Sequence, residues 1–77
     1  MNVDIITPDK NLFTGEASSI IAPGSDGSLG ILDNHAPLIS SLKEGEIKLT
    51  TLAGEKTFTV KGGVIEVLNN KVIILAG

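Results

Sequence analysis

Apolar positions recur along this chain with a period of two. Glu46 to Thr51 alternates cleanly, with Ile47, Leu49 and Thr51 on one side and Glu46, Lys48 and Thr50 on the other. That is the pattern of a strand with one buried face. Ala53-Gly54 reads as a hairpin turn, and Glu55 to Val60 returns with Phe58 and Val60 facing inward and Thr57 and Thr59 outward. The same reading predicts a β-branched strand over Val3–Thr7, turned back at Pro8–Asn11, and a brief strand at Leu12–Thr14. Glu16 to Ala22 is predicted as one extended stretch, with Ala17, Ser19 and Ile21 on one face and Ser18, Ile20 and Ala22 on the other. Leu38–Leu42 fits either a strand or one helical turn; Ser40-Ser41 and the nearby Gly45 favour the strand. Gly62-Gly63 marks a bulge or tight approach before Val64–Leu68, and Asn69-Asn70 is a two-residue turn into Lys71–Leu75, because Asn tolerates positive φ. The expected fold is all-β, a flattened β-sandwich or barrel of about eight to ten short strands in one domain, residues 1–77.

One stretch departs from this pattern. Ala22 to Ile39 holds three glycines, two prolines and the one histidine, so it is predicted as a repeatedly bent polar loop pinned by Ile31 and Leu32.

Composition removes most function classes. The absence of cysteine excludes a disulfide framework and a thiolate metal site. The six basic residues are all Lys, the formal charge is −3 and there is no Trp or Tyr, which leaves nucleic acid without its usual phosphate and stacking contacts. There is neither a basic n-region followed by an apolar h-region nor an apolar run of membrane-spanning length. A triad would need His35 with Asp33 or Asp26 and a serine, but no nucleophile elbow is present. Metal ligation by Asp26, Asp33 and His35 matches no calcium or zinc spacing, and Gly24–Gly30 lacks the Lys and helix of a phosphate loop. The chain is expected to be no enzyme, with no cofactor and no metal.

Several segments carry a resemblance. Phe13-Thr-Gly-Glu-Ala17, Ala22-Pro-Gly-Ser-Asp-Gly-Ser-Leu-Gly-Ile-Leu32, His35-Ala-Pro-Leu-Ile39, Gly62-Gly63 with Ile65-Glu-Val67, and Asn70-Lys-Val-Ile-Ile-Leu-Ala76 resemble the epsilon subunit of F-type ATP synthase, called delta in mitochondria. The likeness runs over essentially the whole chain. It implies a β-sandwich of the rotor's central stalk that docks on the gamma subunit and on the polar loops of the c ring, coupling proton flow to ATP synthesis. It also implies a protein held peripherally on the cytoplasmic face of the inner (plasma) membrane, or the equivalent organellar face. Carried over by motif, the c-ring and gamma contacts are Gly27, Ser28, Asp33, Asn34, His35 and Ala36, with Thr7 and Ser40 on the gamma-facing surface. Two departures are visible. Asp33-Asn34 stands where the family often has Pro-Gly or Pro-Asn, and the C-terminal helical hairpin of longer members is expected to be absent from residues 1–77. The competing expectation is a free-standing sandwich that binds a peptide or small ligand, which capture of gamma would separate from the stalk reading.

Overall fold

The computed structural model describes residues 1–77 as nine strands and no helix. These are β1 (Asn2–Ile6), β2 (Asn11–Glu16), β3 (Ser19–Gly24), β4 (Gly27–Leu32), β5 (Leu38–Leu42), β6 (Gly45–Thr51), β7 (Gly54–Val60), β8 (Gly63–Leu68) and β9 (Lys71–Ala76). They hydrogen-bond in the order β2-β1-β9-β8-β5-β3-β6-β7, with β4 added to the other side of β3. The β5–β3 link is a single pair, Gly24 with Leu42, so the sheet turns a corner there and folds back on itself. The expected flattened sandwich is what results. Its two terminal strands close on each other through Phe13 of β2 and Phe58 of β7, with ring centroids 5.9 Å apart and tilted at 57°.

The period-two pattern places the core. Val3 and Ile5, Ile20 and Ala22, Ile47 and Leu49, Ile65 and Val67, and Val72 and Ile74 all point between the layers and are buried. No polar side chain joins them, so hydrophobic burial is the main stabilising term. Phe58 shares its face with Val60 as expected, yet it is only half-buried, because it sits at the sandwich edge against Phe13 rather than at the centre.

Two expectations are corrected. Glu16–Ala22 is not one strand: β2 ends at Glu16 and β3 begins at Ser19, and the intervening corner is held by bonds to distant segments. Ala17 N–H donates to the Met1 carbonyl (3.0 Å) and Ser18 N–H to the Thr50 carbonyl (2.8 Å). The stretch from Ala22 to Ile39 is not one bent loop either. It contains the second strand of a hairpin, β4, in register with β3 from Ser19–Leu32 to Gly24–Gly27 across the turn Ser25-Asp26. Pro23 is tolerated inside β3 because it falls where β3 leaves β6 and has not yet met β5, so no ladder there needs its N–H; its carbonyl accepts from Lys43 N–H (2.9 Å).

The turn read at Ala53-Gly54 lies one residue earlier, at Leu52-Ala53, because Gly54 already pairs with Thr51, whereas the Asn69-Asn70 turn and the close approach at Gly62-Gly63 stand as expected. Asn69 and Asn70 adopt φ of 52° and 60°, as a tight hairpin between β8 and β9 requires. Gly63 is the close approach anticipated at Gly62-Gly63: a Cβ on it would stand 2.1 Å from the Leu75 carbonyl oxygen.

Candidate functional site

Strand registers give the sandwich two ends. Thr7, the Ser25-Asp26 turn, Leu42 and Gly62 lie at one; Met1, Glu16, Asp33 and Asn70 lie at the other. The expected contact residues divide between them. Gly27 and Ser28 begin β4, while Asp33 to Ala36 follow its last residue, Leu32. Asp33 stands five extended steps from Ser28 and six from Gly27, so at about 3.3 Å each the two groups are roughly 17–20 Å apart. They do not form one patch.

At the first end, Gly27 has φ 141° and an open flank, and Ser28 is exposed opposite Pro23. The turn before them is tied to β5, where Ser25 N–H donates to the Ser41 carbonyl (3.0 Å) and Ser41 Oγ to Ser25 Oγ (2.7 Å). Thr7 holds the β1–β2 turn at this end. Its N–H and Oγ1 both donate to the Lys10 carbonyl (2.8 and 3.0 Å), and Oγ1 accepts from Lys10 N–H (3.1 Å). Ser40 lies midway along β5, half-buried beside Leu38 and Leu42, and its hydroxyl donates to the Ser41 carbonyl (3.1 Å).

At the second end, a tight turn reverses the chain after β4. His35 N–H donates to the Leu32 carbonyl (3.2 Å), Asn34 adopts φ 61°, and Asn34 N–H donates to Asn70 Oδ1 (2.8 Å). His35 Nδ1 lies 2.7 Å from the Ala36 carbonyl. A carbonyl only accepts, so Nδ1 carries the proton and Nε2 faces away as the free ring nitrogen. Ala36 is exposed. Asp33 has a partner that no local pattern announces: the Met1 ammonium donates to its Oδ1 (2.5 Å) and to the Ala17 carbonyl (2.9 Å), with Glu16 Oε2 at 3.4 Å. The hydrogen bond it donates to Asp33, helped by Glu16, raises the ammonium pKa above its ordinary 8.0, against the opposing pull of desolvation. These groups rim an open depression of about 340 Å³ that also takes in Ser18, Thr51 and Leu52.

The residues weighed from sequence for a triad or a metal site are not gathered in one place. Asp26 lies at the opposite end from Asp33 and His35, and no three His, Asp or Glu side chains gather to hold a metal. The serines Ser25 and Ser41 bond to each other rather than to His35. What the site offers is backbone-braced turns at both ends of a stiff sandwich, suited to contact with a surface.

The β-sandwich domain of the ATP synthase delta/epsilon chain matches residues 1–77. An ATP synthase epsilon chain of Dichelobacter nodosus is 51% identical over 75 residues, covering 96% of this chain and 52% of that one. The epsilon chain of Chlorobium limicola is 46% identical over 74 residues, covering 95% and 84%. The chain therefore spans about half the length of some relatives and most of the length of others. Among solved structures, a chain of the Tetrahymena thermophila mitochondrial ATP synthase central stalk and c-ring shares the fold at TM-score 0.83 and 24% identity, covering 99% of this chain and 62% of that one. A chain of the Euglena gracilis mitochondrial ATP synthase does so at TM-score 0.88 and 19% identity, covering 96% and 48%.

Proposed function

The chain belongs to the ATP synthase delta/epsilon family, and from that membership we propose that it is a non-catalytic subunit of the rotor's central stalk. It docks on gamma and on the c-ring loops and helps couple proton flow to ATP synthesis. The observation that carries this reading is the family match over every residue of the chain, together with 51% identity to an epsilon chain. The physical character of the domain supports it. A torque-bearing coupler needs a stiff body with braced contact points. A sandwich with an all-apolar core and turns tied by non-local hydrogen bonds supplies both.

Gly27 and Ser28 stand about 17–20 Å from Asp33, at opposite ends of β4, so the two groups meet different partners, one the ring loops and the other gamma. No helix of the structure is long and apolar enough to cross a membrane. The subunit is held at the cytoplasmic face, or the equivalent organellar face, through the complex.

The test is assembly. A tagged copy of the chain co-expressed with the other subunits of its ATP synthase is expected to retain gamma through purification. The complex reconstituted in vesicles is expected to pump protons on adding ATP, and the complex lacking the chain to pump poorly. A monodisperse chain that ignores gamma, or pumping indifferent to its presence, would refute the stalk role.

A further inference from the structure

Three hairpins of the sandwich close on two-residue turns, and they are held in different ways. Asn69-Asn70, between β8 and β9, has positive φ at both residues, the primed geometry whose twist matches that of the strands it joins. Leu52-Ala53, between β6 and β7, and Ser25-Asp26, between β3 and β4, have positive φ at neither residue. Unprimed two-residue turns splay the strands beside them, so each of these two needs a brace. At Leu52-Ala53 the brace is internal: the residue before the turn, Thr51, donates from Oγ1 to the Gly54 carbonyl (2.8 Å) and accepts there from Ala53 N–H (3.1 Å). At Ser25-Asp26 the residue in that place is Gly24, which has no side chain to do so.

The brace comes instead from β5 and the segment after it. Lys43 N–H donates to the Pro23 carbonyl (2.9 Å), Ser25 N–H to the Ser41 carbonyl (3.0 Å), and Ser41 Oγ to Ser25 Oγ (2.7 Å). Two of the three bonds are made by Ser41. Its carbonyl also accepts from Ser40 Oγ (3.1 Å), so both lone pairs of that oxygen are engaged and its peptide plane is held where Ser25 meets it. β3 and β5 pair only at Gly24–Leu42, so Ser41 is what carries the corner of the sheet out to the tip that presents Gly27 and Ser28.

We propose that Ser41 is a positioning residue for the stalk contact made at Gly27 and Ser28. It acts through Ser25, fixing the direction in which the turn presents those two residues. The inference rests on the stalk reading for the contact itself, while the brace stands on the geometry of the turn.

Two measurements test it, on Ser41→Ala, Ser25→Ala, the double variant and Ser41→Thr, with Thr57→Ala on the polar outer face of β7 as the control and a thermal transition recorded for each. In the first, amide exchange is followed in the isotopically labelled chain. Each single Ala variant is expected to speed exchange of the Ser25 amide at least about threefold and to leave the Asn69-Asn70 turn alone. The double variant is expected to add little to either, and Ser41→Thr, which keeps the hydroxyl, to exchange like wild type. Unchanged exchange at Ser25 in Ser41→Ala overturns the brace. In the second, use is made of the chain's lack of cysteine: Ser28→Cys or Ala36→Cys carries a photo-crosslinker in the assembled ATP synthase. Ser41→Ala is expected to lower the adduct yield from position 28 about twofold or more, to leave the yield from position 36 unchanged, and to be rescued by Ser41→Thr. Equal losses at both positions, or none at either, overturn the positioning role. If neither position of the otherwise wild-type chain yields an adduct with another subunit, the stalk reading fails, and the exchange measurement decides the brace by itself.

Discussion

Truncating Phe58 to Ala tests how the sandwich is closed. Complete burial of a Phe side chain is worth about 1.5–3 kcal/mol by transfer, and removing one from a core costs about 3–5 kcal/mol. Phe58 is half-buried at the rim, so its transfer contribution is about half the full value. The tilted contact with Phe13 adds about 0.5–1.5 kcal/mol beyond area. The expected loss is about 1–3 kcal/mol, from a domain whose total stability is on the order of 4–10 kcal/mol. For a domain this size that lowers Tm by roughly 5–20 °C, read by circular dichroism, with the free energy taken from urea unfolding. The double-mutant cycle with Phe13→Ala isolates the pair and should return a coupling of about 0.5–1.5 kcal/mol. A loss below about 0.5 kcal/mol with strictly additive single changes would show that β2 and β7 are not clasped by these rings.

Gly63→Ala drives a Cβ into the Leu75 carbonyl at φ 140°, backbone against backbone, so it should cost more than about 2 kcal/mol; a Tm within a few degrees of wild type would contradict the β8–β9 geometry. Because the Met1 ammonium pKa is raised in the folded chain, its stabilising contribution is fully present below about pH 8 and is lost as pH rises through the folded value. Its carboxylate partners are exposed, so urea titrations from about pH 7 to about pH 9.5 should show a decline of at most about 1 kcal/mol, flattened in Asp33→Asn. Asn70→Gly keeps the positive φ but removes the acceptor for Asn34 N–H, at about 0.5–1.5 kcal/mol; no change in the urea midpoint would mean the turn is braced elsewhere.

Where a residue's own chemistry decided its conformation, the chain was legible in advance. Asn69-Asn70 turned because Asn accepts positive φ, and Ile47 and Leu49 faced inward because a strand alternates. Strand β4 was missed for a physical reason. Leu29 and Ile31 do alternate inward, but Gly27, Ser28 and Gly30 between them dilute the signal, and the partner that makes the strand, β3, supplies the rest. The Ala17-Ser18 corner carries neither Gly nor Pro and exists because Met1 and Thr50 hold it. The geometry around the expected contact residues was not legible. Asp33 meets Met1 across 32 positions and Asn34 meets Asn70 across 36, and periodicity is silent about such pairs.

The placement of β9 between β1 and β8 has a consequence in time. A ribosome delivers Asn2–Ile6 first and Lys71–Ala76 last, at roughly 5–20 residues per second, so β1 waits several seconds for its parallel neighbour. Until then β1 and β2 are an isolated hairpin, marginal in water, and the inner edge of β8 stands open with Val64, Ile65 and Val67 along it. Pairing strands this far apart in sequence is the slow kind. The ninth strand is therefore the one that completes the first, and the nascent sandwich is most exposed to mispairing just before β9 emerges.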